Sequence, residues 1–135
     1  MNRWICAALA TVLIAAVTVS AESAARRRLP QGDYGGEHAS LRVFGKGAEI
    51  DLECAHGFVT RTIRIDHDGT FDVTGSLSIE RGPARLPERP VRVTGTVAGD
   101  RIEFTVRDEP FEPGGNVYGP FTVTLGAASS YARCM

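Results

Sequence analysis

Few residues of the sequence could carry chemistry, and most of them fall at strand ends or turns. The histidines are His38, His56 and His67. A zinc site needs three or four ligands at fixed geometry, and Cys54 with His56 could begin one only if the thiol of Cys54 were free. The segment 66–69 starts like a calcium loop but lacks the carboxylate spacing and the closing glutamate. We therefore predict no metal site and no cofactor.

The sequence also lacks the motifs of common enzyme classes, including the nucleophile elbow, the zinc-protease helix, the phosphate loop and the dinucleotide fingerprint. Three carboxylates alternate along one segment at Glu49, Asp51 and Glu53, which places them on the solvent side of a strand. An arginine on a neighbouring strand, Arg42 or Arg61, would pair with them. A glycosidase needs two carboxylates that face each other across a cleft. We predict that the protein is not an enzyme.

Length and charge narrow the class of protein further. The chain has 135 residues, of which 15 are basic and 16 acidic, and its isoelectric point is near 6.3. One domain is expected at this length. A nucleic-acid partner is not expected, because nucleic-acid-binding domains carry a clear basic excess.

The first 21 residues are organised like a secretory signal peptide. Arg3 supplies a cationic start, and residues 5–19 form an apolar run without a charge. The run is shorter than the roughly 20 residues that a membrane-spanning helix needs. We therefore expect cleavage after Ala21, with Ala25 as a second choice, rather than an uncleaved anchor. The mature protein would be secreted or periplasmic, with no stable membrane span.

Removal of the signal peptide leaves two cysteines, Cys54 and Cys134. Exported compartments permit disulfides, so one disulfide between the two is the simplest expectation, with free thiols or thiolate ligands as the alternative. A bridge that closes a loop of about 80 residues should stabilise the fold by roughly 4.5 kcal/mol in the chain-entropy account.

Residues 22–38 show the periodicity of neither a helix nor a strand. Arg26, Arg27 and Arg28 make this segment basic, and we interpret it as a flexible lead-in to a single β-barrel domain at residues 39–135. The alternative is a contact of the three arginines with anionic lipid or cell wall, since clustered cations gain about 1 kcal/mol each near such a surface.

From residue 39 onward, apolar residues alternate with polar ones, and no window has the spacing of an amphipathic helix. About eight strands, joined mostly by tight turns, predict an all-β fold. An eight-stranded antiparallel up-and-down β-barrel is the simplest form, because closure removes both exposed edges. A two-sheet β-sandwich has the same alternation and is the alternative.

Three predicted strand boundaries bear on the candidate sites. The strand that contains Glu49 is predicted to end at residues 56–57, and the next strand, over residues 59–65, to present Arg61 to the interior. An inward arginine must be paired or must line a wet cavity, so Arg61 is a candidate for binding an anionic group at the barrel mouth. A bulge that turns Arg61 to solvent is the alternative. Residues 131–134 are predicted to form a short closing strand.

Two long loops are predicted at residues 81–90 and 108–119. Prolines stiffen both loops, which lowers the entropy lost on binding. The candidate binding residues of these loops are Arg81, Arg85, Phe111, Val117 and Tyr118. Exposed aromatic side chains anchor protein interfaces. The alternative is that these side chains fold back as a lid over the barrel end.

The tripeptide Gly32-Asp33-Tyr34 and the more distant Arg133 resemble two features of lipocalin and avidin-like (calycin-type) barrels. These are a Gly-x-Trp opening, here with tyrosine in place of tryptophan, and an arginine packed over the aromatic ring. The resemblance implies a structural plug of Tyr34 and Arg133 at the closed end, worth about 0.5–2 kcal/mol as a cation–π contact. The overall pattern also resembles small exported bacterial barrels that inhibit lysozymes or proteases.

Two hypotheses on function follow. The first is an exported, monomeric protein-binding or inhibitor-like barrel that acts through its loops. The second is a lipocalin-like carrier of a small apolar or amphipathic ligand, since an interior of aliphatic side chains leaves room for an apolar guest. A filled interior with exposed loop aromatics favours the first hypothesis, and an internal cavity favours the second.

Overall fold

A computed structural model of the protein describes residues 27–81 and 83–131, without the side chains of Ala84 and Arg85. All regular elements in this part of the chain are strands, and it contains no helix. In chain order the strands are β1 (Arg27–Arg28), β2 (Gly32–Gly35), β3 (Ala39–Phe44), β4 (Gly47–Leu52), β5 (Ala55–Val59), β6 (Arg64–Ile65), β7 (Thr70–Arg81), β8 (Ala84–Arg85), β9 (Arg89–Ala98), β10 (Arg101–Asp108) and β11 (Val117–Leu125).

Eight of these strands form one closed antiparallel β-barrel. The barrel strands are β2, β3, β4, β5, β7, β9, β10 and β11, and each pairs with the next barrel strand along the chain. The first and the last, β2 and β11, pair with each other, so the ring has no free edge. The predicted all-β, eight-stranded up-and-down barrel is therefore confirmed. A two-sheet sandwich is excluded, because its sheets would keep their edges.

Alternation along the strands decides which side chains face the interior. Residues opposite each other in an antiparallel pair share a face of the sheet. Leu41 pairs with Ile50 inside the barrel, and Arg42 pairs with Glu49 outside it. The sequence period of two thus produces an apolar interior and a polar outer wall.

Side chains fill the interior of the barrel. A side chain that faces a ligand-sized cavity keeps accessible surface even where the cavity is closed to bulk solvent. Phe121 and Tyr118, which also face inward, are partly exposed where they pack against the core. Ten other large inward side chains, however, are at most 2% exposed. They are Tyr34, Leu41, Ile50, Leu77, Val91, Val93, Ile102, Phe104, Val106 and Val123. The interior is therefore a packed core.

A tight turn at Glu53 and Cys54 joins β4 to β5, and Cys54 has a positive φ of 61°. The strand end predicted at residues 56–57 is wrong, because His56 and Gly57 lie within β5. Gly57 is required there by the close passage of β7, since a Cβ would lie 2.6 Å from the backbone oxygen of Ser76. The glycine that suggested a turn therefore allows two strands to approach.

The strand predicted over residues 59–65 is also wrong. The barrel strand β5 ends at Val59, and β6 pairs with β1 outside the barrel ladder, with Arg64 opposite Arg28. Arg61 lies between them and is exposed. The inward position predicted for Arg61 is therefore wrong, and its side chain faces solvent.

Residues 27–31 and 60–66 cover one end of the barrel, here called the closed end. Leu29 is part of the core, and its amide donates a 2.9 Å hydrogen bond to the backbone oxygen of Ile63. The hydroxyl of Tyr34 donates a 2.9 Å bond to the backbone oxygen of Pro30. The opposite end, here called the loop end, carries the β2–β3, β4–β5, β7–β9 and β10–β11 connections.

The flexible lead-in predicted for residues 22–38 is wrong where the structure describes it, from residue 27 onward. Gly32–Gly35 form the first barrel strand and Tyr34 is buried, so the barrel starts before residue 39. The closing strand was predicted at residues 131–134, but β2 is the strand that closes the ring, between β11 and β3. Tyr131 lies outside any strand, and residues 132–134 lie outside the described residues. A four-residue strand with two glycines shows too little alternation to be recognised in the sequence.

Candidate binding site

The two long loops lie together at the loop end because both connect antiparallel neighbours there. Residues 82–88, which include β8, connect β7 to β9, and residues 109–116 connect β10 to β11. Both are shorter than predicted, since the flanking strands extend into them. Three large apolar side chains of this end are exposed, and we call them the loop face: Leu86 (39%), Phe111 (50%) and Val117 (52%).

The loop at residues 109–116 is held in place by hydrogen bonds at its base. The carboxylate of Asp108 accepts hydrogen bonds from the backbone nitrogen and from Nδ2 of Asn116, at 3.0 and 3.2 Å. Within the loop, the amide of Gly115 donates to the backbone oxygen of Glu112 at 2.8 Å. A segment that is already ordered loses less entropy on binding. Phe111 is therefore presented by a loop whose base is held in place.

The loop at residues 82–88 is fastened to β7. The amide of Leu86 donates to the backbone oxygen of Ile79 at 2.9 Å, and Oγ of Ser78 donates to the backbone oxygen of Leu86 at 2.7 Å. Ser78 pairs with His56, which faces outward, so Ser78 also lies on the outer face of the sheet. Its side chain is nevertheless buried. The loop therefore folds over the outer side of β7 and leaves the side chain of Leu86 partly in solvent.

Three polar side chains cover the core at the mouth of the loop end. Arg89, Asp108 and Tyr118 each pair across the ladder with a buried core residue, so they point inward. Arg89 donates from Nη2 to the hydroxyl of Tyr118 at 2.9 Å, and its Nε lies 3.6 Å from Oδ1 of Asp108. An inward arginine at the mouth therefore exists, but it is Arg89 and not Arg61. Sequence reasoning missed Arg89 and Asp108 because both were assigned to loops.

Arg107 supports Phe111 from the outer face of β10. Its guanidinium carbon lies 5.8 Å from the centroid of the Phe111 ring, within the range of a cation–π contact. Nε of Arg107 and Oδ1 of Asp108 are buried and have no hydrogen-bond partner within the described part of the chain. The charge of Asp108 is nevertheless balanced on the inner side of the mouth, where Nε of Arg89 lies 3.6 Å from the same oxygen.

An ion-pair network holds Glu109, the first residue of the loop at residues 109–116. Arg92 donates from Nε to Oε2 of Glu109 at 2.7 Å and from Nη1 to Oδ1 of Asp72 at 2.8 Å. The hydrogen bond from Arg92 is the main reason that the pKa of Glu109 is lowered. The bonds to Glu109 and Asp72 in turn raise the pKa of Arg92. This network ties the loop to the outer wall of β9 and β7.

The other arginines predicted to bind do not all lie at the loop end. Arg81 is exposed at the end of β7, and Arg85 lies in β8 with its side chain outside the described residues. Arg61 lies toward the closed end, where it lines a hollow of about 440 Å³ in the outer wall together with Arg64 and Arg92. Arg61 is therefore separated from the predicted loop residues.

Tyr34, one half of the predicted plug, is buried at the closed end. Burial is the main reason that its pKa is raised, and the negative charge of Asp100 adds to the effect. The proposed partner Arg133 lies outside the described residues, as does Cys134. The Tyr34–Arg133 contact and the Cys54–Cys134 disulfide therefore stay predictions, although Cys54 is not a free thiol.

Histidines contact the carboxylates of Glu49 and Asp51 on β4 and of Glu53 in the β4–β5 turn, for which the sequence suggested arginine partners. His56 lies between Glu49 and Asp51, with Nε2 3.4 Å from Oε1 of Glu49 and with Nδ1 in contact with Oδ1 of Asp51. Nδ1 of His38 lies 2.8 Å from Oε1 of Glu53, and this bond is the main reason that the pKa of His38 is raised. The sequence interpretation missed both contacts because it placed one histidine in a turn and the other in the lead-in.

Comparison with known proteins adds no relative: no protein-family model, curated protein or solved structure matches the chain. Across the described residues, no helix is long and apolar enough to cross a membrane. The function must therefore be argued from the geometry of the barrel and its loops.

Proposed function

We propose that the protein is an exported, monomeric, non-enzymatic binding protein whose loop end attaches to a protein partner. The observation that carries this proposal is the contrast between a filled barrel interior and an exposed apolar loop face. Exposed apolar side chains that are grouped in one region of a surface mark interaction sites, whereas single ones are ordinary. Leu86, Phe111 and Val117 supply such side chains at one end of a rigid scaffold.

The interior offers little support for the alternative, a carrier of a small apolar ligand. Inward side chains such as Ile50, Ile102 and Phe104 are at most 1% exposed, so a guest would have to displace the core. At the mouth, Arg89 is already paired with Tyr118 and Asp108. Entry of an apolar guest would break these contacts and bury polar groups without partners, which is costly.

The loop end has features of an inhibitor-like surface. Hot-spot residues at interfaces are enriched in aromatic and arginine side chains that are surrounded by ordered neighbours. Phe111 with Arg107 beside its ring fits that description. The hydrogen bonds of Asp108 and Ser78 order both loops before any partner arrives, which favours tight binding. We propose an exported hydrolase as the partner of this surface.

The partner can be identified by site-specific cross-linking. A photoreactive amino acid would be placed at Phe111, and for comparison at Phe44, which is 47% exposed at the closed end. We expect one protein of the exported fraction to be captured at a 1:1 ratio from position 111 and not from position 44. Capture of the same species from both positions would contradict the proposal.

Affinity for the purified partner then gives the quantitative test. Phe111→Ala should weaken binding by at least about tenfold, in the range of interface hot spots. Phe44→Ala removes an equally exposed ring of the same type and should change the affinity by less than about twofold. Equal effects of the two substitutions would overturn the assignment of the site. A small molecule that stays bound to the purified protein in native mass spectrometry would favour the carrier instead.

Export and the disulfide belong to the same proposal. The β4–β5 turn that carries Cys54 lies at the loop end, where Glu53 and Tyr131 line a common hollow. The chain at Tyr131 is three residues from Cys134, which supports pairing of the two cysteines. Such a bridge would tie the end of the chain to the barrel.

Intact-mass measurement of the protein from the exported fraction tests both statements. We expect a chain that begins at Glu22 and has lost two hydrogens relative to the reduced form. Two thiols that react with an alkylating reagent would contradict the disulfide. Retention of residues 1–21 would contradict cleavage of the signal peptide.

A further inference from the structure

The outer wall of the barrel brings together three side chains with metal-binding donor atoms. Asp51 on β4 pairs directly with His56 on β5, and Glu49 lies two residues earlier on β4, on the same outward face. One donor atom from each residue lies within 4.8 Å of the other two. The imidazole stands between the carboxylates, with Nδ1 toward Asp51 and Nε2 toward Glu49.

Neighbouring side chains fix the imidazole and leave Glu49 accessible. The ring of Phe58 meets His56 edge to face, with centroids 4.6 Å apart and planes at 84°. Arg42 pairs with Glu49 across the ladder, but its Nε donates to Oδ1 of Asp33 at 2.7 Å. Nε of Arg42 is therefore held by Asp33, while the charge of Arg42 still acts on Glu49 and Asp51. The Glu49 carboxylate faces the imidazole.

We propose that Glu49, Asp51 and His56 form a binding site for a divalent transition-metal ion such as Zn²⁺. Nε2 of His56 and a carboxylate oxygen of Glu49 are the direct ligands. These two atoms are 3.4 Å apart. Two ligands that are each about 2.0–2.1 Å from a tetrahedral Zn²⁺ lie roughly 3.3–3.4 Å from each other. The observed separation therefore suits one ion placed between them.

Asp51 is a positioning residue in this arrangement. Metal-binding histidines usually donate their second ring N–H to a carboxylate, which fixes the tautomer and the ring orientation. The contact between Nδ1 of His56 and Asp51 has that form and leaves Nε2 free of its proton for the ion. Water completes the coordination on the solvent side.

The donor set also defines the class of ion. An imidazole nitrogen favours Zn²⁺, Cu²⁺ and Ni²⁺, whereas Ca²⁺ and Mg²⁺ prefer all-oxygen sites. His56 is 17% exposed, so the ion would be partly shielded and still reachable from solvent. The site shares no residue with the loop face, although Ser78, which pairs with His56, donates a hydrogen bond to the backbone oxygen of Leu86. The inference does not depend on the proposed function.

The test is isothermal titration of Zn²⁺ into the mature protein, purified without a histidine tag. We expect one Zn²⁺ per chain, no competition from Mg²⁺ at tenfold excess, and a loss of at least tenfold in affinity in both His56→Ala and Glu49→Gln. His38→Ala is the matched control, because His38 contacts a single carboxylate, and it should bind Zn²⁺ like the wild type. No binding by the wild type, or wild-type binding by His56→Ala, would overturn the proposal.

Nitrogen-detected imidazole spectra keep the inference testable if a variant does not fold. Zn²⁺ should shift the Nε2 signal of His56 in the wild type and leave Nδ1 protonated; a shift of Nδ1 instead would overturn the ligand assignment. Asp51→Asn should weaken binding by about 10–100-fold and move the signal of the His56 Nδ1–H proton upfield, because this variant weakens the hydrogen bond from Nδ1. Unchanged affinity and an unchanged proton signal in this variant would overturn the positioning role.

Discussion

The two ends of the barrel use irregular chain in opposite ways. At the closed end, residues 27–31 and 60–66 place Leu29, Ile63 and Ile65 in the core. At the loop end, residues 82–88 and 109–116 leave Leu86 and Phe111 exposed. Both ends contain apolar side chains in segments that lie largely outside the barrel ladder, so composition alone does not separate them.

The difference lies in what each segment packs against. The closed end has two segments that pair with each other through β1 and β6 and share the burial of their apolar side chains. Each loop of the loop end is held by hydrogen bonds to its own base, through Asp108 and Ser78. One end therefore contributes to stability, and the other presents ordered side chains to solvent.

The largest expected effect tests the closed end at Tyr34. Tyr34→Ala should lower the free energy of unfolding by about 3–5 kcal/mol, because it removes a buried ring and leaves a cavity. Tyr34→Phe removes the hydrogen bond to Pro30 and should cost about 1 kcal/mol. Urea unfolding measures both. A loss below 1 kcal/mol in Tyr34→Ala would show that this end does not support the fold.

The second prediction compares one residue type at the two ends. Leu29→Ala should cost about 2–5 kcal/mol, because Leu29 is buried in the core. Leu86→Ala should cost less than about 1 kcal/mol, because its side chain is partly in solvent. Denaturant unfolding of the two variants gives the comparison directly. If both variants lose the same free energy of unfolding, the closed end does not contribute more to stability than the loop end.

The third prediction concerns the order of the loop at residues 109–116. Asp108→Ala removes the acceptor of Asn116 and the ion-pair partner of Arg89, and should cost about 1–3 kcal/mol. Amide hydrogen exchange of this loop should rise, while that of the closed end stays unchanged. Asp33→Ala breaks the exposed pair with Arg42 and serves as the control, with a loss of at most about 1 kcal/mol. Unchanged exchange in the Asp108 variant would show that the loop is not held from its base.

The smallest expected effect is the acid dependence of the anchor at Glu109. The pKa of this carboxyl is lowered in the folded protein by the hydrogen bond from Arg92. Its contribution to stability is therefore full above the ordinary carboxyl range near pH 4.5 and is lost as the pH falls through the lowered folded value. Glu109→Gln should be less stable than the wild type near pH 7 and equally stable in strong acid.

Thermal unfolding across pH 2–7 measures that difference. Glu112→Gln is the control, because Glu112 lies in the same loop and has no ion-pair partner among the described residues. We expect Glu112→Gln to unfold at the same temperature as the wild type across this pH range. If the unfolding temperatures of Glu109→Gln and the wild type differ by the same amount at every pH from 2 to 7, the lowered pKa of Glu109 is not the cause of the difference.

Much of the barrel could be predicted from the sequence because inward and outward residues alternate within each strand. The β3–β4 hairpin, with Leu41 opposite Ile50, follows directly from this pattern. The β4–β5 turn could not be predicted in this way, because Glu53 and Cys54 are not usual turn residues. The strand β2 was missed because four residues with two glycines carry almost no pattern.

The candidate site was predicted in part. Phe111 and Val117 are exposed at the loop end, as the prolines and glycines around them suggested. Tyr118 faces inward and pairs with Arg89, which no local pattern indicates. The contacts of His56 with Glu49 and Asp51 depend on a turn position that the sequence did not reveal.

By itself, the sequence determined that this protein is all-β, that its strands bury one face, and that about eight strands are present, although not where each of them lies. The reason is that side-chain alternation is a local property of each strand. Only the tertiary structure decided which segments seal the closed end, that Arg89 rather than Arg61 faces the mouth, and that His56 stands between two carboxylates. These features depend on strand register and on contacts between distant segments, which become defined when the whole barrel closes.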